Sequence, residues 1–247
     1  EEYEKLKLSF SDNTKEEFDY IVAADGVYSR TKEILFKKEG TPKYFNSIAL
    51  RGNIQNFENS DISLYLGSNF HFVIYPINQN NEFNFISIVR KKLVGSEITN
   101  RSLFKDKIFI NNLMSQISSK SDLNLSELVN EIKCFPIFVS KKIKIPNNKN
   151  IFLMGDAFFS FPPSFAQGAS QSIESANDLF NDLNNNLSNY YKKRVLKTKQ
   201  INYRSSINHH AFHIANPINV FFRNIFLKYL SKNKSFLENY LGKIYKN

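Results

Sequence analysis

Residues 151–179, from Ile151-Phe-Leu-Met-Gly-Asp-Ala through Pro162-Pro163 and Ala166-Gln167-Gly168-Ala169 to Ile173-Glu174-Ser175-Ala176, constrain this chain more than any other stretch. Ile151 to Met154 is a short apolar run, suited to a buried strand. Gly155 ends it, and Asp156 sets a carboxylate at the strand's C-terminal end. Pro162 and Pro163 exclude helix and hold an extended loop. From Ala169 good helix formers follow, with Ile173, Ala176, Asn177 and Phe180 at helical spacing. The order is strand, acid-tipped loop, helix start. In open α/β folds ligands sit beyond the carboxyl ends of strands. The free N–H groups of a helix start suit an anion or an electron-rich ligand edge. Spacing alone is equally that of a plain core segment with a surface Asp.

A second run points the same way. Phe18 to Ala24 reads as a strand, and Asp25-Gly26 breaks it before Val27-Tyr28-Ser29 and Lys32. Glu1 to Phe10 alternates loosely ahead of the turn residues Ser11 to Thr14, as in a hairpin strand. From Thr41 to Asn150 the texture is short β-rich runs with polar breaks. Ser47–Asn53 and Ile62–Leu66 read as strands, and Phe70–Pro76 with Phe83–Arg90 as a hairpin. Leu103–Ser119 and Leu123–Ile132 read as helices, and Ser172–Lys199 as one long helix whose basic end, Lys192-Lys193-Arg194, is solvated.

Together these residues resemble the flavin-dependent aromatic hydroxylases, the family of p-hydroxybenzoate, salicylate and ubiquinone-biosynthesis hydroxylases. Gly155-Asp156-Ala157, Pro163, Gln167-Gly168-Ala169 and Ile173-Glu174 are similar to its second FAD motif, and Asp19 to Ser29 to its Asp-Gly fingerprint. The resemblance implies that Asp156 binds the ribityl hydroxyls and that Gln167, Gly168 and Ala169 face the ring. It implies that Asp25 and Gly26 shape the side from which NADH or NADPH approaches. It also implies oxygen transfer from a flavin hydroperoxide to a small aromatic or quinone-precursor substrate. The fold expected is α/β (α+β), with 1–38 and 151–200 forming a partial, Rossmann-like FAD-binding domain. Residues 39–150 form a β-rich substrate domain, and 201–247 a C-terminal helical segment.

The chain departs from the family in four places. Lys32 stands where Arg is usual, Phe159 where a His is common, and Ser175 where an Asp usually follows Glu174. The Gly-x-Gly-x-x-Gly turn that cradles the FAD pyrophosphate is missing: of the eight glycines, Gly40 and Gly52 lie closest, twelve positions apart. The chain therefore reads as a fragment or N-terminally truncated form. The alternatives are a non-catalytic remnant that cannot hold FAD alone, or a partner polypeptide supplying the missing unit. Position 1 is Glu, which reads as processed, trimmed or partial. A flavin halogenase is set aside because the chain has no Trp.

Charge and cysteine usage bound the rest. The net charge of +10 comes mostly from scattered lysines, without a compact nucleic-acid module. Cys134 is the single cysteine, which fits a reducing, cytoplasmic setting and reads as inert packing. No apolar run is long enough to span a membrane, and no signal peptide stands at the start. His71 lies in an apolar strand and reads as packed rather than as a base; Arg51 reads as solvated. His209, His210 and His213 have no nearby carboxylate or thiol, so no metal site is assigned, and no catalytic base is evident. Residues 217–245 form a basic amphipathic stretch, read as a helix packed on the core or as a weak contact with a membrane surface, which would make the protein peripheral.

Overall fold

A computed structural model describes residues 5–55, 57, 61–78, 80–121, 123–183, 187–240 and 242–244. The fold is mixed α/β and divides into two compact units, Glu1–Lys43 with Phe138–Ser205 and Tyr44–Ile137 with Ser206–Asn247.

The first unit opens with a hairpin, β1 (Leu6–Ser9) and β2 (Lys15–Phe18). Asp12 closes its turn by accepting from the Thr14 N–H and hydroxyl, while Asn13 takes φ 68°. The run read as one strand from Phe18 to Ala24 is split. Phe18 pairs with Leu6 in the hairpin, and β3 (Ile21–Ala23) starts anew beside β9 (Ile151–Leu153). The β3–β9 pair is parallel, with Ile21 opposite Ile151 and Ala23 opposite Leu153. Helix α1 (Arg30–Phe36) follows β3, and the single turn α4 (Gly155–Phe158) follows β9. Helix α5 (Gly168–Leu183) and helix α6 (Ser188–Phe212) take the place of the one long helix expected from Ser172 to Lys199. The first unit's core joins Ala23, Leu153, Phe158 and Phe159. Beside it sits a cluster of Phe152, Leu179 and Tyr190.

The second unit is built on a five-stranded sheet. Its strands are β4 (Lys43–Gln55), β5 (Ser63–Gly67), β6 (Phe70–Pro76), β7 (Glu82–Arg90) and β8 (Asn130–Val139), in the order β5-β6-β7-β4-β8. The β5–β6, β6–β7 and β4–β7 pairings are antiparallel. The expected hairpin of Phe70–Pro76 with Phe83–Arg90 is present as β6–β7. Leu123–Ile132 is mostly not helical: α3 covers only Leu125–Leu128 before β8 begins. Pro136 is tolerated in β8 because that strand lies at the sheet's edge. Gly52 is demanded by close approach, since a Cβ there would meet Val129 Cγ1 at 2.4 Å. Helix α2 (Lys107–Ser118) buries Ile110, Leu113, Met114 and Ile117 in a core shared with Ile48, Phe72, Ile74 and Phe85. Helices α7 (Pro217–Leu230) and α8 (Lys234–Tyr240) close the chain. Among the described residues no helix is long and apolar enough to cross a membrane.

Candidate cofactor site

Parallel pairing brings two motifs 130 positions apart to one edge. The Met154 N–H donates to Ala23 O at 2.9 Å, so Asp25-Gly26 and Gly155-Asp156 leave the same, carboxyl end of adjacent strands. Gly155 needs φ +56°, and a Cβ there would lie 2.7 Å from Ser172 Oγ, so glycine lets the Asp156 turn settle against α5 at Ser172. Ala157 is fully buried behind it.

The two aspartates differ. Asp25 is occupied: its carboxylate accepts from the N–H and hydroxyl of Thr31, both at 3.1 Å, at the start of α1. Burial pulls its pKa up, but the bonds from Ser29 and Thr31 outweigh this and hold it below the ordinary value. Gly26, at φ +78°, shapes the turn and accepts from the Ser29 N–H. Asp156 is half-buried, and among the described residues no group of the chain donates to its carboxylate. Burial raises its pKa, and the Lys32 ammonium works in the opposite direction.

Lys32 is the residue whose importance was least visible in the sequence. It is buried, and its Nζ donates to Phe158 O at 2.8 Å and to Ser140 Oγ at 3.2 Å. Ser140 Oγ also accepts from the Ser160 N–H, and the Ser160 hydroxyl donates to Phe138 O. Burial lowers the Lys32 pKa to about 8 against the pull of Asp156. A lysine can thus reach the Asp156 loop from α1 where the family favours arginine. Ser140 and Ser160 carry no sequence signal that would have found them, because the link runs through a fold-dependent contact.

Pro163 opens a single 3-10 turn to Phe165, and Ala166 takes a left-handed conformation that turns the chain into α5. Gln167 is buried and Gly168 begins the helix, with open space where a side chain would stand. The N–H groups of Gly168 and Ala169 belong to the first turn and have no carbonyl partner within the helix. An acceptor carboxylate left unused by the chain and a helix start facing open space fit a hydroxyl-bearing chain attached to an electron-rich ring. None of the eight glycines builds a turn for a pyrophosphate.

The residues that recur at helical spacing along α5 face outward: Ile173 is 73% and Phe180 66% exposed. The inner face is Gln171, Ser175, Leu179 and Asp182. Ser175 meets the Tyr190 hydroxyl at 2.8 Å, and that hydroxyl donates to Leu153 O. Arg194, expected at a solvated helix end, is buried in the first half of α6. It donates to Gln171 Oε1 at 2.9 Å and to Asp178 at 3.2 Å, with Glu174 at 3.6 Å. Phe159, in the common His position, packs into the core. A cleft of about 950 Å³ lined by Tyr20, Asn150, Phe152 and Tyr191 lies at the opposite, amino end of the strand pair.

Several known proteins are similar to this chain in sequence or in fold. Across 225 residues the chain is 24% identical to 3-amino-4-hydroxybenzoate 2-monooxygenase PtmB3 of Streptomyces platensis, covering 85% of this chain and 55% of the relative. With 6-hydroxynicotinate 3-monooxygenase of Bordetella bronchiseptica it shares 24% over 185 residues, 71% of this chain and 47% of the relative. The chain thus spans about half the length of these relatives. The crystal structure of Klebsiella pneumoniae HpxO complexed with FAD and uric acid matches with TM-score 0.79 at 15% identity, over 99% of this chain and 64% of that one. A salicylate hydroxylase substrate complex matches with TM-score 0.72 at 16% identity, over 94% and 65%. The family described as the FAD binding domain matches residues 8–206, most of the chain, and this protein belongs to that family.

Proposed function

We propose that this chain is the ribityl- and ring-holding part of an FAD-dependent monooxygenase that uses NADH or NADPH to hydroxylate a small aromatic substrate. The observation that carries the reading is the parallel β3–β9 pairing, which sets Asp25-Gly26 and Gly155-Asp156 side by side at one strand edge. Asp156 would accept hydrogen bonds from the hydroxyls of the ribityl chain. The N–H groups of Gly168 and Ala169, free at the start of α5, would hold the electron-rich edge of the ring. Pro163 and Gln167 fix the loop that leads there, and Ala157 anchors the turn in the core. Asp25 keeps the start of α1 in place, and Gly26 gives the nucleotide side its turn. Bound FAD supplies the redox and oxygen chemistry; the protein's part is position and exclusion of water.

The pyrophosphate-binding unit comes, on this proposal, from polypeptide outside these 247 residues, whether joined to them or separate. The protein works in the cytoplasm without nucleic acid. A lipid-surface contact through 217–245 suits a substrate such as a quinone precursor. The glycine spacing favours one rival, a non-catalytic remnant that cannot hold FAD.

FAD titration separates the two. The chain alone and the chain joined to a Gly-x-Gly-x-x-Gly βαβ segment are followed by visible absorbance and flavin fluorescence. The joined form is expected to hold FAD and to oxidise NADH or NADPH faster with an aromatic acid. Asp156→Ala should weaken FAD uptake roughly tenfold or more. Folded but colourless protein in both forms would overturn the flavoenzyme reading in favour of the remnant.

A further inference from the structure

Helix α7, Pro217–Leu230, is apolar on both sides. It is well formed: Pro217 opens it, and the Asn216 side chain accepts from the N–H groups of Ile218 and Asn219. Its inner side presents Val220, Leu227 and Leu230, all half-buried, together with Arg223, whose Nη1 reaches Ala211 O at 3.5 Å. Its outer side carries Ile218, Phe221, Phe222, Ile225, Phe226 and Tyr229, each between 51% and 67% exposed. At 3.6 residues per turn these six side chains form one unbroken stripe covering about 140° of the circumference. Nothing else among the described residues covers it.

Charge selects what does. From Ser206 to Leu237 the sequence contains no Asp or Glu, while Arg223, Lys228, Lys232 and Lys234 stand on or just after the helix. The three lysines are exposed. A second copy docked face to face would add its own cations to the interface with no acid from this segment to answer them. An anionic surface answers them all. Long lysine side chains reach past an apolar stripe to headgroups, and aromatic rings favour the boundary between water and acyl chains. The helix is about 21 Å long, too short to cross a bilayer core of about 30 Å, so it lies in the interface plane.

We propose that the outer face of α7 seats this protein on an anionic lipid surface, with Phe221, Phe222, Ile225 and Phe226 in the acyl boundary and Lys228, Lys232 and Lys234 at the headgroups. This gives the proposed location its residues, yet it rests on α7 and its charge alone and stands or falls independently of FAD.

The test is co-sedimentation of the full 247-residue chain with vesicles of phosphatidylcholine alone or mixed with phosphatidylglycerol. The chain should bind the mixed vesicles, bind phosphatidylcholine at least tenfold more weakly, and come off as salt rises. Phe222→Glu with Phe226→Glu should lower binding at least tenfold, and Lys232→Gln with Lys234→Gln by roughly fivefold for each lysine. Ile108→Glu, at an equally exposed site on α2, should bind like the parent. Circular dichroism checks that the variants stay folded, and Phe222→Gln alone gives the same reading if the double variant does not. Failure of the intact chain to bind anionic vesicles at low salt overturns the proposal. So does equal binding to both vesicle types, or a dimer in sedimentation velocity that Phe222→Glu dissolves. None of these results touches FAD uptake.

Discussion

The two units are stabilised in opposite ways. In the unit of Tyr44–Ile137 and Ser206–Asn247, a five-stranded sheet and α2 enclose an apolar interior of Ile48, Phe72, Ile74, Phe85 and Leu113. In the other unit the sheet at the candidate site is a single parallel pair, and much of what α5 and α6 bury is polar: Gln171, Ser175, Asp182 and Arg194. Apolar side chains that would usually be inside, Ile173, Phe180, Val22 and Leu196, are exposed there. A parallel sheet normally has both faces covered, and a two-stranded one is marginal by itself. The difference teaches that the sheet unit encloses an apolar core of its own and bares apolar side chains on the outer face of α7, whereas the cofactor-side unit bares them beside a two-stranded sheet and a polar interior. That is the condition expected if, as proposed, further polypeptide completes the flavin grip.

The comparison breaks most sharply at its two interiors. Phe72→Ala should cost about 3–5 kcal/mol by opening a cavity in the sheet unit. Arg194→Met should cost about 3 kcal/mol by leaving Asp178 and Gln171 Oε1 without their buried donor, while Glu174 keeps Lys197 at 2.8 Å. Urea unfolding measures both, and hydrogen exchange assigns each loss to its own unit. If Arg194→Met were neutral, the polar interior would be incidental rather than structural.

Titration distinguishes the units next. In the sheet unit His71 Nδ1 lies 2.8 Å from His213 Nε2, and the His209 and His213 rings are 4.1 Å apart. Burial lowers the pKa of His71 to about 3, of His209 to about 4 and of His213 to about 2, with the neighbouring histidines and Arg90 adding to the fall. His210, also on α6, is exposed, and adds to the lowering at His209. All three buried rings stay neutral in the folded state while the unfolded chain takes up protons below about pH 6.5. Stability is therefore full above that pH and falls as pH drops, by up to about 1.4 kcal/mol per pH unit for each histidine. Lys32, lowered to about 8, has an effect of the same sign at higher pH in the cofactor-side unit. Between about pH 8 and 10 the folded state has shed that proton and the unfolded state has not, so stability rises with pH. Exchange rates of β6 amides in acid and of β3 and β9 amides in alkali report the two separately. His213→Gln should flatten the first and Lys32→Met the second; a single shared slope would erase the distinction.

The smallest effect is the most selective. Phe180→Gln and Ile173→Gln should change the stability of this chain by no more than about 0.5 kcal/mol, since both side chains are already in water. In the form joined to a βαβ segment the same changes should lower stability measurably, as read by thermal melting. Equal, negligible effects in both forms would mean that this face stays bare.

Much of the site was legible in the sequence because its motifs are local. Gly155-Asp156, the Pro162-Pro163 break, a helix start near Ala169 (it begins at Gly168) and the Asp25-Gly26 turn all follow from glycine, proline and hydrophobic runs, which act over a few residues. The β6–β7 hairpin was legible for the same reason. The direction of α5 was not, because Ile173 and Phe180 carry the periodicity of a buried stripe whichever way the helix is turned. Arg194 read as solvated because a run of cations hides which member meets acids on another helix. Lys32 read as a changed contact, not as a buried ammonium tied to Phe158 O.

The sequence by itself determined that this chain is α/β, that an acid and a helix start follow one of its strands, and that no glycine turn for a pyrophosphate lies within it. These are consequences of backbone freedom and short-range pattern. Only the tertiary structure decided that Asp25 is consumed as a helix-start acceptor while Asp156 is left open, that α5 turns its polar side inward, and that α7 keeps six large apolar side chains in water. Those outcomes depend on which surfaces meet, and the partners in such contacts are set by strand pairing and packing across distances that local pattern does not encode.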